Sequence, residues 1–306
     1  MVIIIMFIIN PQKYSNSVLN GITLFALNVL PSLLPFFFLT KLLSSLGNIG
    51  SLTRFLRRPL KKIFKLPPQF AYIMFISMIS GYPIGANRVG DLCARDKDKN
   101  RVTRLAAVSS TSGIIFVART IGGAMLGNKN AALLNSGIFA FDCLHISAAL
   151  LFAFLSGLLI KDKNIYYGDG GFNNNFTDNA LSQSVYSAAV SVFSVGVLIA
   201  VFYMLTDMLS ALPLLEGFLG SLLNYCGIPH DIARGLGSGI IEMTRGCNTL
   251  AGSTASLTVK LCCISFVLSF GGGCVLMQSF AFLNGKIKYG LFILYKLIHA
   301  FLSALI

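Results

Sequence analysis

Three short stretches carry the residue types that could do chemistry. The first is Ser80-Gly81-Tyr82-Pro83-Ile84-Gly85, at the end of an apolar run. The second is Glu242-Met243-Thr244-Arg245-Gly246, inside a Gly-broken apolar segment. The third is Ser109-Ser110-Thr111-Ser112-Gly113, four hydroxyls ahead of a glycine. Gly and Pro interrupt a helix, and an interrupted helix frees backbone N–H and C=O groups. At membrane depth such backbone survives only where it is buried in protein or lines a watery cavity. Unwound carbonyls and hydroxyls suit a small cation, and half-helix N-termini suit a carboxylate. The chemistry indicated is solute binding. There is no HExxH, no Walker loop, no paired-Cys metal site and no supportable Ser/His/Asp order, so an enzyme is not expected.

Ionisable groups inside apolar segments are costly and therefore candidate site residues. Glu242 has two readings: it binds a coupling cation or a substrate donor, or it pairs with Arg245 or Arg234 and holds the segment. Arg245 could meet an anionic substrate. The expected binding set is Ser80, Gly81, Tyr82, Pro83, Gly85, Ser110, Thr111, Ser112, Glu242, Thr244, Arg245 and Gly246. Arg119 is expected to pair with Asp142 on the next helix, with a proton relay through Asp142 and His145 as the sharper alternative. His230 and His299 stand alone and are not expected to be ligands, and Asp207 reads as interfacial. The seven cysteines form no CxxC pair and read as buried free thiols. No cofactor or metal is expected; a coupling ion, Na+ or H+, stays open.

The elements that must position these groups are transmembrane helices. Of the 306 residues 55% are apolar and only 11% charged, against about 25% charged in a soluble domain. Apolar runs long enough to span recur, which makes the chain a polytopic all-α membrane protein. The net charge of +13 sits mostly in loops. There it sets orientation and meets anionic headgroups, so the bilayer and not nucleic acid is the partner. Val2 to Ile9 is apolar but too short to span, and reads as the end of a first helix. A helix kinked at Pro31 and Pro35 covers residues 16–46, and a basic amphipathic stretch, Arg54 to Lys65, follows at the interface. Spans are expected at 102–126 (interrupted at Ser109 to Gly113), 131–160, 182–212, 250–283 (broken at Gly271 to Gly273) and 290–306, with an amphipathic connector at 214–227.

The segment at about 66–87 has basic clusters on both sides, Arg54 to Lys65 and Arg88 to Arg104. Short basic loops belong in the cytoplasm, so this segment is expected to dip into the bilayer and return. Residues 228–248 repeat it: Leu66-Pro67 matches Ile228-Pro229 at a shift of 162, and the 80–85 stretch falls against 242–246 at about 161. The break at Ser112-Gly113 falls against Gly271 to Gly273. Basic loops then fit one topology in which the second half is inverted. The expected architecture is an inverted repeat with two re-entrant hairpins: residues 1–160, a cytoplasmic linker at 161–181, and residues 182–306. Paired interrupted segments of this kind point to a binding site near the midplane.

At these residues the chain resembles the YlbJ-like sporulation integral membrane proteins, which are related to gate or nucleoside-recognition domain proteins and distantly to concentrative nucleoside transporters. The resemblance lies in Leu30-Pro31-Ser32-Leu33-Leu34-Pro35-Phe36, Ser80-Gly81-Tyr82-Pro83-Ile84-Gly85-Ala86, Thr111-Ser112-Gly113 and Glu242-Met243-Thr244-Arg245-Gly246-Cys247, in the family's order. This chain has Ser110 and Ile114 where the family has Asn and Pro, and Asn87 where it often has Lys. The resemblance implies a cell-membrane location and a transporter or facilitator of a small anionic or heteroaromatic solute, dipicolinate during endospore formation. The alternatives are a nucleoside-type transporter or a non-transporting membrane scaffold. It also implies sporulation partner proteins or a homo-oligomer.

Overall fold

The computed structural model describes residues 1–45, 54–94, 96–126, 131–158, 179–210, 225 and 227–306. Most of the expected linker at 161–181 and of the connector at 214–227 lies outside the described residues. Among the described residues the chain is helical, with no strand. Its elements are α1 (Val2–Ile9), α2 (Pro11–Leu24), α3 (Leu30–Ser45), α4 (Arg54–Lys62), α5 (Phe70–Ser80), α6 (Ile84–Leu92) and α7 (Lys99–Ser109). They continue with α8 (Ala131–Leu158), α9 (Ala180–Ser210), α10 (His230–Ile241), α11 (Met243–Ala251), α12 (Leu257–Phe270), α13 (Gly272–Leu283) and α14 (Tyr289–Leu305). Two π-helical segments, Phe25–Val29 and Phe116–Met125, complete the set.

Among the described residues three helical stretches are long and apolar enough to cross a membrane: Phe139–Leu158, Leu181–Ser210 and Leu257–Leu283. A fourth is the kinked pair Pro11–Val29 and Leu33–Leu42, bent by 62°. A proline clashes with the carbonyl four residues earlier, so Pro31 acts on Leu27. The chain relieves this with the π-helical turn at 25–29, and Thr120 Oγ1 donates to the Asn28 carbonyl at 3.0 Å. The span at 102–126, expected to be interrupted at Ser109 to Gly113, is divided there. The 11-residue α7 ends at Ser109, residues 110–113 are non-helical, and the π-helical segment follows.

The basic stretches meet at one end. Arg104, expected among the loop charges, is instead fully buried, and it donates to the carbonyls of Phe64 (2.5 Å) and Lys65 (3.1 Å). Lys286 Nζ donates to the Gly90 carbonyl at 2.9 Å, and Lys288 N to Thr103 Oγ1 at 2.9 Å. Residues 64–65, 90–104 and 286–288 are thus bound together, at the end that the positive-inside rule assigns to the cytoplasm. Asp98 starts α7 there, accepting from Asn100 N and Arg101 N. Cys93, Cys247 and Cys274 are buried, whereas Cys143 and Cys262 face outward rather than inward as expected.

The two halves interlock. The long α9 packs along α2 and α3, α14 lies against α12, α7 and α8, and α6 lies against α13. Helices α10 and α11 pack so closely that a Cβ on Gly246 would stand 2.2 Å from the Gly239 Cα.

Candidate functional site

Each of the three polar stretches is a helix break, and each break rests on another. Helix α5 ends at Gly81, whose φ of +74° only glycine adopts without strain. A cis peptide joins Tyr82 to Pro83 before α6 begins. Tyr82 N donates to the Thr111 carbonyl at 2.9 Å, which fastens this break to the one after α7. A Cβ on Gly81 would lie 2.4 Å from Gly113 N, so the two breaks touch backbone to backbone. In the second half the break between α10 and α11 lies against the one between α12 and α13. A Cβ on Gly272 would stand 2.6 Å from the Gly239 carbonyl oxygen and 3.1 Å from Met243 N.

The breaks close around one cavity of about 30 Å3, room for about two waters at 10–15 Å3 each. Its polar wall is Ser80, Tyr82, Ser112, Glu242, Thr244 and Gln278, and its apolar wall includes Val29, Leu33, Phe116, Val195 and Ile199. The Tyr82 hydroxyl contacts Met243 Sδ and stands 3.4 Å from the Leu268 carbonyl. Ser80 Oγ is buried and has no hydrogen-bond partner. Glu242 is 1% exposed and caps α11: Oε1 accepts from Thr244 N at 3.0 Å and Oε2 from Arg245 N at 2.6 Å. Its partners are backbone amides, not the side chain of Arg245.

Of the expected set, Ser80, Gly81, Tyr82, Ser112, Glu242 and Thr244 line this cavity. The others have different places. Pro83 precedes α6 as its N-cap. Gly85 allows close packing, since a Cβ there would meet the Ser109 carbonyl oxygen at 2.1 Å. Gly246 packs on Gly239. Arg245 turns away: Nη2 pairs with Asp207 at 2.6 Å, Nη1 donates to the Tyr203 carbonyl, and the guanidinium sits over the Tyr203 ring. Asp207, read as interfacial, is its ion-pair partner. Arg119 is exposed and Asp142 Oδ1 is buried without a partner, so the expected Arg119–Asp142 pair is not formed.

Ser110 and Thr111 belong to a second polar layer behind the α7 break. His145 Nε2 is 2.7 Å from Ser112 Oγ and 3.2 Å from Thr111 Oγ1. Its Nδ1 is 3.4 Å from Ser303 Oγ and 3.5 Å from Ser269 Oγ. Lys296, with no exposed surface, donates from Nζ to the Ser110 carbonyl. His299 stacks on Phe152 with ring centroids 5.3 Å apart, and 6.2 Å from His145. Thr111 and Ser112 also line a smaller cavity of about 10 Å3. Lys296, His299 and Ser303 were legible as an i, i+3, i+7 stripe on α14, and Ser265 and Ser269 as an i, i+4 pair on α12. Gln278 was signalled only as a lone amide in the apolar α13.

The chain is similar to the sporulation integral membrane protein YlbJ of Bacillus subtilis (strain 168), 25% identical over 293 aligned residues. The alignment covers 88% of this chain and 70% of that protein. The chain is YlbJ-like. No family model matches it, and no solved structure does. With its three apolar stretches of spanning length, the chain is a multi-pass membrane protein.

Proposed function

We propose that this YlbJ-like chain is a membrane transporter or facilitator for a small anionic or heteroaromatic solute, with dipicolinate during endospore formation as the leading substrate. One observation carries the reading: three helix breaks, from both halves, meet at one largely apolar cavity that holds Ser80, Tyr82, Ser112, Glu242 and Thr244 in its wall, and the fourth break, at Gly272, packs on the α10–α11 break beside it. Broken helices facing each other in matching positions of two halves are the anatomy of an alternating-access site. On this reading residues 1–160 and 182–306 form an inverted repeat, and α5–α6 and α10–α11 are its re-entrant hairpins. The tips bind the solute, and their separation opens the site. The name of the Bacillus subtilis relative supplies the sporulation setting.

The cavity offers a carboxylate the unpartnered hydroxyl of Ser80, while the first residues of α6 do not line it. The N-terminus of α11 is already taken by Glu242. An ionised carboxylate only accepts hydrogen bonds, so Glu242 meets an N–H or O–H better than a second carboxylate. That favours a nucleoside-type or related heterocycle as the second reading.

Uptake of labelled dipicolinate and of uridine into proteoliposomes, with wild-type and Glu242→Gln protein, separates them. A dicarboxylate transporter keeps or gains dipicolinate uptake when the opposing charge is removed. A nucleoside-type transporter takes up uridine and loses it in the variant. No uptake of either by protein of normal melting temperature assigns the chain to a non-transporting scaffold.

A further inference from the structure

We propose that Lys296 holds the coupling proton: its ammonium occupies the carbonyl of the α7 break where an alkali cation would otherwise bind, and loss of that proton releases the 110–113 segment. The inference rests on the transport reading. Ser110 follows the last turn of α7, where carbonyls lack intrahelical partners and the helix end is negative. Such a carbonyl, next to the hydroxyls of Thr111 and Ser112, is a natural cation ligand. Here Lys296 Nζ already sits on it, and Lys296 has no exposed surface. Among the described residues it forms no ion pair with a carboxylate.

The groups around Lys296 explain why the site would respond as a unit. On its own helix α14 stand Tyr295 and His299. From α8 comes His145, which holds Thr111 and Ser112 on the same segment. From α12 come the hydroxyls of Ser265 and Ser269, the former 2.8 Å from the Ser303 carbonyl. The buried charge of α7, Arg104, is engaged by the Phe64 and Lys65 carbonyls and by Ser156. His299 has neither ring nitrogen hydrogen-bonded, and Ser110 Oγ is also unpartnered. The Lys296 ammonium and the His145 ring therefore face the break from one side, while Ser112 and Gly113 line the candidate cavity on the other. Four residues of extended chain connect the proton site to the solute site.

Two measurements test this, one without transport. Melting of the purified protein should fall at alkaline pH as Lys296 loses its proton, and replacing Na+ by K+ should change nothing. Lys296→Arg keeps the charge and does not titrate, so it should melt without the alkaline limb. An identical limb in Lys296→Arg, or stabilisation by Na+, overturns the proposal whether or not the protein transports. In proteoliposomes, an imposed proton gradient should accelerate uptake of dipicolinate or uridine by the wild type. Lys296→Arg should bind the same solute and lose that acceleration. Acceleration by a Na+ gradient, or an equal proton response in Lys296→Arg, sinks it. Absence of all uptake with the melting difference intact would fail the transport reading and, with it, the coupling role, leaving Lys296 as a titrating cap of α7.

Discussion

The hydroxyl of Tyr82 rests on the sulfur of Met243, so the tip of one broken pair touches the tip of the other across 161 residues of sequence. Both residues line the cavity beside Ser80 and Glu242. Tyr82→Phe removes the contact and keeps the ring. One net hydrogen bond contributes about 0.5–1.5 kcal/mol, so the variant should fold and melt slightly below the wild type. If the tips gate the site, its uptake should change several-fold, in rate or in substrate preference. Uptake identical to wild type would show that the tips do not separate through this contact.

Gly81 is where two breaks meet with no room for a side chain. Its φ is +74°, and an added Cβ would stand 2.4 Å from Gly113 N. A non-glycine residue in such a conformation costs about 1–3 kcal/mol before any clash. Gly81→Ala should lower the melting temperature or abolish folded protein. Gly237 in α10 has nothing within 4 Å of the added carbon. There Ala should stabilise, since Gly in a helix costs about 1 kcal/mol relative to Ala. Equal behaviour of the two variants would contradict the packing described.

Arg245 is committed to Asp207 at 2.6 Å and to the ring and carbonyl of Tyr203. It fixes α11 to α9 and stands off the cavity. The effects of Arg245→Ala and Asp207→Ala on melting should therefore be non-additive, with a coupling of about 0.5–3 kcal/mol. Arg245→Lys should recover little, because an ammonium cannot reproduce the stacked, forked geometry. Should Arg245 instead bind the solute, Arg245→Ala would weaken binding without any coupling to Asp207.

The helix breaks were legible because glycine, proline and clustered hydroxyls inside apolar runs report interrupted backbone directly. Gly81, Gly113 and Gly271 all mark real breaks. The partners of charges were not legible. Arg104 read as a loop cation because charge was counted along the chain, and its burial depends on which carbonyls the 63–66 loop turns towards it. Arg245 read as a group that could meet an anionic substrate, but its partners Asp207 and Tyr203 lie on α9, some forty residues away in the sequence, and only the packing of α11 on α9 brings them to it. Lys296 is visible in the sequence as a cation in an apolar helix, but its partner is not, because only the packing of α14 against α7 brings the Ser110 carbonyl to it.

Asp231 provides a pH handle outside the spanning segments. It lies half-exposed at the start of α10. Its Oδ2 accepts from Thr254 N at 2.7 Å and Thr254 Oγ1 at 2.8 Å, and its Oδ1 accepts from Ile232 N at 2.9 Å. These bonds, the one from the Thr254 backbone first, hold the carboxyl below the usual aspartate range. A carboxyl whose folded value is depressed stabilises the fold above the unfolded value, about 3.9 for aspartate. That stabilisation is lost as pH falls through the lower, folded value. The wild type should therefore lose melting temperature in this acidic window more steeply than Asp231→Asn, which cannot titrate. Thr254→Val removes the hydroxyl donor, keeps the backbone donor and should fall between the two. Parallel acid profiles for all three proteins would show that the α10 start and the turn after α11 are not joined through this carboxylate.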